Sequence, residues 1–188
     1  RHCGKADWSD PQWEKLLEEN VNLARVYLDA WPLLDGEECR QAAASTIDYL
    51  VDHLFDGDVP GFRGSQGAHS EYFGLPLASR REQTAPPVDP SCYAGSNAQA
   101  VALLLDASSR LGRPDLERKA LDVLAALDAM AQAGRLSHAY TQAGPGEEPA
   151  FLTDWAHLLN ALMSAHRHTA QGDYLERAKD VALVLADR

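Results

Sequence analysis

Leu116-Glu117-Arg118 recurs as Leu175-Glu176-Arg177, 59 residues later, and this internal repeat limits the fold more than any other feature of the chain. At the same offset Ala102, Leu103 and Leu104 stand over Ala161, Leu162 and Met163. An earlier stretch fits less closely, with Ala43, Ile47 and Leu50 where Ala120, Leu124 and Leu127 stand. A repeated pair of helices stacks its copies side by side and buries a common core.

Six stretches have helical period. The first is expected from Asp10-Pro11, with Asp10 as N-cap and Pro11 in the first turn, until Pro32 stops it. The second starts near Asp35 and carries Ala43, Ile47, Leu50, Val51 and Leu54. The third spans 96–111, the fourth 114–133 and the fifth 153–170, with Thr153 as N-cap; the sixth starts at Tyr174. Helices three and five are apolar on most faces and should be buried on both sides. Helices four and six have one wet face and should lie outside. Odd helices inside and even helices outside define an all-α fold, an α/α toroid of three antiparallel hairpins forming part of an (α/α)6 barrel.

The connections obey the same alternation. Inner-to-outer links are short, near 32–36, 112–113 and 171–173. Outer-to-inner links are long, 56–95 and 134–152, rich in Gly and Pro, with short β-hairpin elements expected at Gly61-Phe62-Arg63-Gly64-Ser65 and at 136–141. Helices one, three and five therefore begin at the end where both long loops lie. Loops on a rigid scaffold commonly carry function, so this mouth is the candidate site of one domain spanning 1–188.

Composition removes several classes of function. A formal charge of -11 argues against a nucleic-acid surface. No run approaches the roughly 18 apolar residues that span a bilayer. Cys3, Cys39 and Cys92 are odd in number and far apart, which fits a reducing, cytoplasmic setting. No Gly-rich phosphate loop, GxSxG elbow or HExxH helix occurs, so no cofactor is expected. His166-Arg167-His168 sets its rings on different helix faces, so no metal site is expected there either.

The mouth gathers Gln12, Trp13, Glu14, Lys15, Arg63, Gln66, His69, Glu71, Tyr72, Tyr93, Asn97, Gln99, His138, Tyr140, Asp154, Trp155 and His157. Aromatic faces stack on sugar rings, and amides and carboxylates bond hydroxyls, so a small-molecule carbohydrate is the expected partner. Within this set, Glu71, His138, Asp154 and His157 are the catalytic candidates. Gln12, Trp13, Lys15, Arg63, Gln66, Tyr93, Asn97, Tyr140 and Trp155 are the substrate-binding candidates. His138 with His157 reads as a proton-transferring pair, or as two unrelated polar side chains. Glu71 with Asp154 reads as an acid/base pair for glycoside hydrolysis, or as a loop salt bridge and a helix cap. The aromatics read as a stacking platform or as core.

Asp7-Trp8-Ser9-Asp10-Pro11-Gln12-Trp13-Glu14-Lys15-Leu16-Leu17-Glu18-Glu19-Asn20 resembles the DWS-x-PH-[FY]-EKML-x-DNA stretch of the thioredoxin-domain-containing, spermatogenesis-associated-like family. Gly61-Phe62-Arg63-Gly64-Ser65-Gln66 through Glu71-Tyr72 is similar to its GGF-x-x-SQDADSEYY segment. Cys92-Tyr93 through Asn97-Ala98 is similar to its Y-x-DWNA segment. Phe151-Leu152-Thr153-Asp154-Trp155-Ala156 and Gly172-Asp173-Tyr174-Leu175-Glu176-Arg177-Ala178 are similar to its LDDYA and TGD-x-x-YLERA segments.

The resemblance runs along nearly the whole chain. It implies a barrel related to the N-acylglucosamine 2-epimerase and six-hairpin glycosidase folds, of which three hairpins are about half. Family members often carry an amino-terminal thioredoxin-like domain; none is expected within these 188 residues. Gln12 departs from the family His, Gly67 and His69 from its two acids, and Gly95-Ser96 from its Asp-Trp. Glu14, Lys15, Gln66, Glu71, Asn97 and Asp154 are kept.

Two functions follow as expectations: a carbohydrate-active, epimerase-like or glycosidase-like domain, or a non-catalytic scaffold or binding domain associated with a thioredoxin-like protein. The chain opens on Arg1 and closes on Leu185-Ala186-Asp187-Arg188 within a helical pattern, so a longer native chain is expected. An open half toroid exposes inner-helix surface, which self-association or further chain would cover.

Overall fold

The computed structural model describes residues 3–7, 9, 11–34 and 36–186. Along the chain run β1 (Lys15–Leu16), α1 (Leu17–Leu34) and α2 (Glu37–Tyr49), which unwinds into a π-helical turn at Leu50–Leu54. There follow β2 (Phe55–Asp56), β3 (Gly61–Phe62), β4 (Ser65–Gln66), α3 (Ser70–Gly74), α4 (Leu77–Arg80) and β5 (Cys92–Tyr93). The second half holds α5 (Ala94–Leu111), α6 (Pro114–Gln132), β6 (Ala139–Thr141), β7 (Gly144–Pro145), α7 (Leu152–Thr169) and α8 (Gly172–Ala186). Among the described residues, no helix is long and apolar enough to cross a membrane.

α5 packs against α1, α6 and α7, while α2 lies on α1 and α8 on α7. The inner helices are thus α1, α5 and α7, with α2, α6 and α8 wrapped outside them. Repeat-equivalent residues become neighbours: Gly95 bonds Asp154 near the start of α5 and α7, and Ser109 bonds His168 near their ends, each pair 59 residues apart. Contacts of equal offset at both ends mean that α5 and α7 run parallel and in register. Ion pairs lace the outer layer, Asp48 to Arg113 between α2 and α6 and Asp128 to Arg177 between α6 and α8.

α5 is buried nearly all round, with Ala98, Val101, Leu103, Leu104 and Ala107 fully inside. α7 departs from the expectation that both of its sides are covered. It buries one face, through Trp155, Leu158, Ala161, Leu162 and Ala165, because among the described residues no further inner helix packs on its other side. Leu23, Val26, Leu33 and Leu34 on α1 are likewise exposed, as are Leu152, Leu183 and Val184 on the α7–α8 side.

Several sequence boundaries move. α1 begins at Leu17 rather than at Asp10-Pro11, because Lys15–Leu16 pairs antiparallel with Ser65–Gln66 instead of coiling. Asp10, like Trp8 and Asp35, lies outside the described residues. Pro32 sits inside α1 rather than ending it. A proline removes the bond to the carbonyl four residues back. That carbonyl, on Leu28, accepts a guanidinium N–H from Arg110 of α5 instead. Thr153 does not cap α7; Phe151 stands at the N-cap, and its N–H is taken by the Asp154 carboxylate. The stretch 56–95 contains two short helices, α3 and α4, and the strand expected over 136–141 narrows to Ala139–Thr141.

The long loops are joined to one another. β5 pairs with β6 and β6 with β7, so the loop at 56–95 and the loop at 134–152 share one sheet. β1 with β4 ties the start of the first hairpin to the same end.

α7 ends on Ala170 with φ of 58°, a left-handed turn made without glycine. Ala170→Gly should raise stability by about 1 kcal/mol in urea unfolding, since glycine takes this conformation without a Cβ clash. Unchanged or lower stability would contradict the turn.

Candidate functional site

The mouth is assembled by three buried polar side chains. Asn97, fully buried in the first turn of α5, donates to the carbonyls of Phe62 and Tyr93, both at 2.9 Å, and accepts the Phe62 N–H at 2.6 Å. It therefore clamps β3 to the helix. Gln66 accepts from Lys15 Nζ at 3.2 Å and from the Tyr49 hydroxyl at 3.1 Å, and donates to the Pro86 carbonyl at 3.3 Å. Both amides spend their bonds on the scaffold.

Asp154 is the third, and it is 2% exposed. Its Oδ1 accepts the Gly95 N–H at 3.0 Å, and its Oδ2 accepts the Phe151 N–H at 2.8 Å. The same Oδ2 lies 2.9 Å from His138 Nδ1. Two of these donors belong to the starts of α5 and α7, where the helix dipole favours a negative charge. Gly95 is required: a Cβ there would meet Asp154 Oδ1 at 2.6 Å. A carboxylate only accepts, so Nδ1 of His138 carries a proton, and in the neutral ring Nε2 keeps its lone pair. Among the described residues, Nε2 has no hydrogen-bond partner.

His138 faces a cleft of about 350 Å³ lined also by Glu14, Ser65, Asp89, Tyr93 and Ser96. Its ring lies 4.5 Å from that of Phe151 and 5.4 Å from that of Tyr93, centroid to centroid. The Tyr93 hydroxyl donates to Asp89 at 3.2 Å; burial and the Asp89 charge together push its pKa above the usual tyrosine value. Gly64 lets the Tyr93 ring lie on the backbone, since a Cβ would come within 2.4 Å of it. Ser65 donates to Glu14 at 3.3 Å on the far wall. The result is a polar, acid-rich groove with one aromatic wall and one nitrogen base. Among the described residues, no group of His, Cys, Asp or Glu is arranged to hold a metal ion.

The other candidates lie elsewhere. His157 is bonded to Gln99 at 2.9 Å, on the stretch of α7 after Asp154, and does not line this cleft. Glu71, with His69 and Tyr72, lines a separate cleft of about 660 Å³ beside α3. Glu71 and His138 thus line different clefts, and neither Asp154 nor His157 lines either of them. Asp154 is consumed by the helix starts, and Glu71 is exposed on the short helix α3. Lys15 lies over the Phe73 ring at 3.9 Å, and Trp13 stacks on that ring at 5.9 Å. Gln12 is exposed and Arg63 pairs with Asp56.

Two aromatic candidates belong to the core. Trp155 is 7% exposed and packs there. Tyr140 turns inward against Cys92 and Gly61, and among the described residues its hydroxyl has no hydrogen-bond partner. Burial raises the Tyr140 pKa well above its usual value and pushes the Cys92 thiol to about 11. Asp89, Ser65 and Ser96 were not legible as site residues. The only local signal at Asp89 was the turn sequence Asp89-Pro90-Ser91.

No protein-family model matches the chain, and no curated protein sequence does. Solved structures do match in fold. The chain is similar to cellobiose 2-epimerase from Spirochaeta thermophila, with a TM-score of 0.73 and 21% identity over 93% of this chain and 44% of that one. It is similar to a D-mannose isomerase at a TM-score of 0.71 and 17% identity, over 93% of this chain and 41% of that one. A family 76 glycoside hydrolase, a mannosidase from Bacteroides thetaiotaomicron, matches with a TM-score of 0.70 and 14% identity, over 93% and 45% of the two chains. The fold is thus that of part of an α/α barrel such as these structures contain, and the chain spans less than half of their length.

Removing the Asp154 carboxylate takes the acceptor from the N–H groups of two helix starts, that of Gly95 buried and that of Phe151 half-buried. Asp154→Ala should cost about 2–4 kcal/mol in urea unfolding, against about 1 kcal/mol for His138→Gln. Equal costs for the two variants would contradict the latch.

Proposed function

We propose that this chain is part of a carbohydrate-active α/α barrel, that its mouth cleft binds a neutral sugar, and that His138 exchanges a proton with that sugar. The observation that carries the reading is the fixed imidazole: buried Asp154 holds Nδ1, and among the described residues Nε2 has no hydrogen-bond partner beside the cleft. A neutral imidazole can take a proton from the carbon beside a sugar carbonyl, and the adjacent carboxylate stabilises the imidazolium formed. Tyr93 offers a ring face, and Ser65, Ser96, Glu14 and Asp89 offer partners for hydroxyls. The carboxylates disfavour acidic sugars, and the fold is shared with an epimerase and an isomerase that act on cellobiose and D-mannose.

In this reading the three hairpins are one half of the barrel. The exposed leucines and valines of α1 and of the α7–α8 side are edges covered by further chain or by a second copy. The five sequence stretches described above support membership of the thioredoxin-domain-containing, spermatogenesis-associated-like family, and the three dispersed thiols fit the cytoplasm.

One observation favours a second reading, a sugar-binding or scaffold domain without turnover, associated with a thioredoxin-like protein. Gln66, Asn97 and Asp154 are all bonded to the scaffold.

Deuterium uptake at C2 of mannose, glucose and cellobiose in heavy water, followed by NMR, separates the two. Catalysis predicts uptake that falls by about 10²-fold or more in His138→Gln. A sugar that raises the melting temperature without uptake supports the binding domain. Neither stabilisation nor uptake with any sugar rejects a carbohydrate role.

A further inference from the structure

The inner face of the three inner helices holds a second cavity, away from the mouth. It has a volume of about 470 Å³ and lies between Arg25 of α1, Asp106 and Ser109 of α5, and Ser164, Arg167 and His168 of α7. Ala102 and Leu105 form its floor. Ser109 stands 15 residues beyond the first residue of α5, roughly 22 Å along the axis. None of these side chains lines the mouth cleft.

The charges in this cavity are not balanced internally. Arg110 answers both Asp106, at 3.1 Å, and Asp29, at 3.0 Å. His168 Nε2 is 3.3 Å from Glu117, and its Nδ1 is 3.4 Å from the Ser109 hydroxyl. Arg167 donates to Ser164 Oγ at 3.0 Å, and that hydroxyl gives its own proton to the Asn160 carbonyl at 2.8 Å. Ser164 therefore orients a guanidinium and leaves its charge unmet. Among the described residues, neither Arg25 nor Arg167 has a carboxylate within ion-pair distance. Two guanidiniums on different helices, the half-buried Arg25 and the exposed Arg167, thus converge on one cavity with no carboxylate partner among the described residues.

We propose that this cavity is an anion site that binds the phosphate group of a small ligand, with Arg25 and Arg167 as its charged donors and Ser109 as a neutral one. A guanidinium offers a planar fork of N–H donors that fits two oxygens of a tetrahedral anion. The inner face then has an acidic mouth and a basic far end, which would set the direction in which a ligand carrying one phosphate enters. The proposal stands apart from the sugar reading of the mouth: failure of deuterium uptake leaves it untouched.

Inorganic phosphate titrated into the protein at constant ionic strength, with chloride as counter-titrant, is the test, read by calorimetry and by thermal shift. Saturable binding is expected, weakened about tenfold or more by Arg25→Gln or Arg167→Gln, the scale of one charge-assisted hydrogen bond. Both side chains are at the surface of the cavity, so the variants should keep the wild-type melting temperature in chloride. Glucose 6-phosphate and AMP, titrated beside inorganic phosphate, identify which phosphate source the cavity prefers. The proposal is overturned if phosphate does no more than chloride, or if the double variant binds it as well as the wild type. It is also overturned if carboxylates of a second copy occupy the two arginines, which a concentration-dependent dimer that excludes phosphate would reveal.

Discussion

The Asp154 carboxylate joins the parts of the molecule that have to meet. One oxygen holds the start of α5 through Gly95, and the other holds the start of α7 and the imidazole of His138. Charge buried without partners is costly, so this group persists inside only because three donors surround it. Those donors also fix where the loop at 134–152 crosses the mouth. The orientation of His138, and hence the chemistry available to the cleft, depends on a bond whose first role is to close the scaffold.

The internal repeat explains how the same bond sets helix register. Gly95 and Asp154 occupy equivalent positions 59 residues apart, as do Ser109 and His168. Copies of one unit stacked in register place equivalent residues side by side, so a small residue in one copy can receive a carboxylate from the next. Gly95 supplies the space and the N–H; Asp154 supplies the charge. Asn97 and Gln66 extend the same scheme to β3 and β4, which leaves the scaffold rigid and the cleft walls to Glu14, Asp89 and Tyr93.

The inner and outer places of the helices were legible from residue pattern alone, although α7 buries only one face, and so was the gathering of the long loops, because both follow from helix period and link length. Roles that depend on distant partners were not. Pro32 reads as a stop, and its helix continues because Arg110, 82 residues away in sequence, supplies the missing donor to Leu28. Asp154 near a helix start reads as cap or as catalyst, and the Gly95 N–H that it accepts lies 59 residues away, across the repeat. His138 and Tyr140 are two apart and would share a face of a regular strand. The strand begins at Ala139, which frees His138 to face the cleft while Tyr140 turns into the core.

The central claim is that Asp154 fixes the His138 tautomer and leaves Nε2 to the cleft. A long-range 1H–15N correlation spectrum of the imidazoles reads this directly. The account predicts that His138 carries its proton on Nδ1 near neutral pH, and that its Nε2 resonance moves when a neutral aldose is added. A proton on Nε2 instead, or an imidazole spectrum that no sugar perturbs, would contradict it.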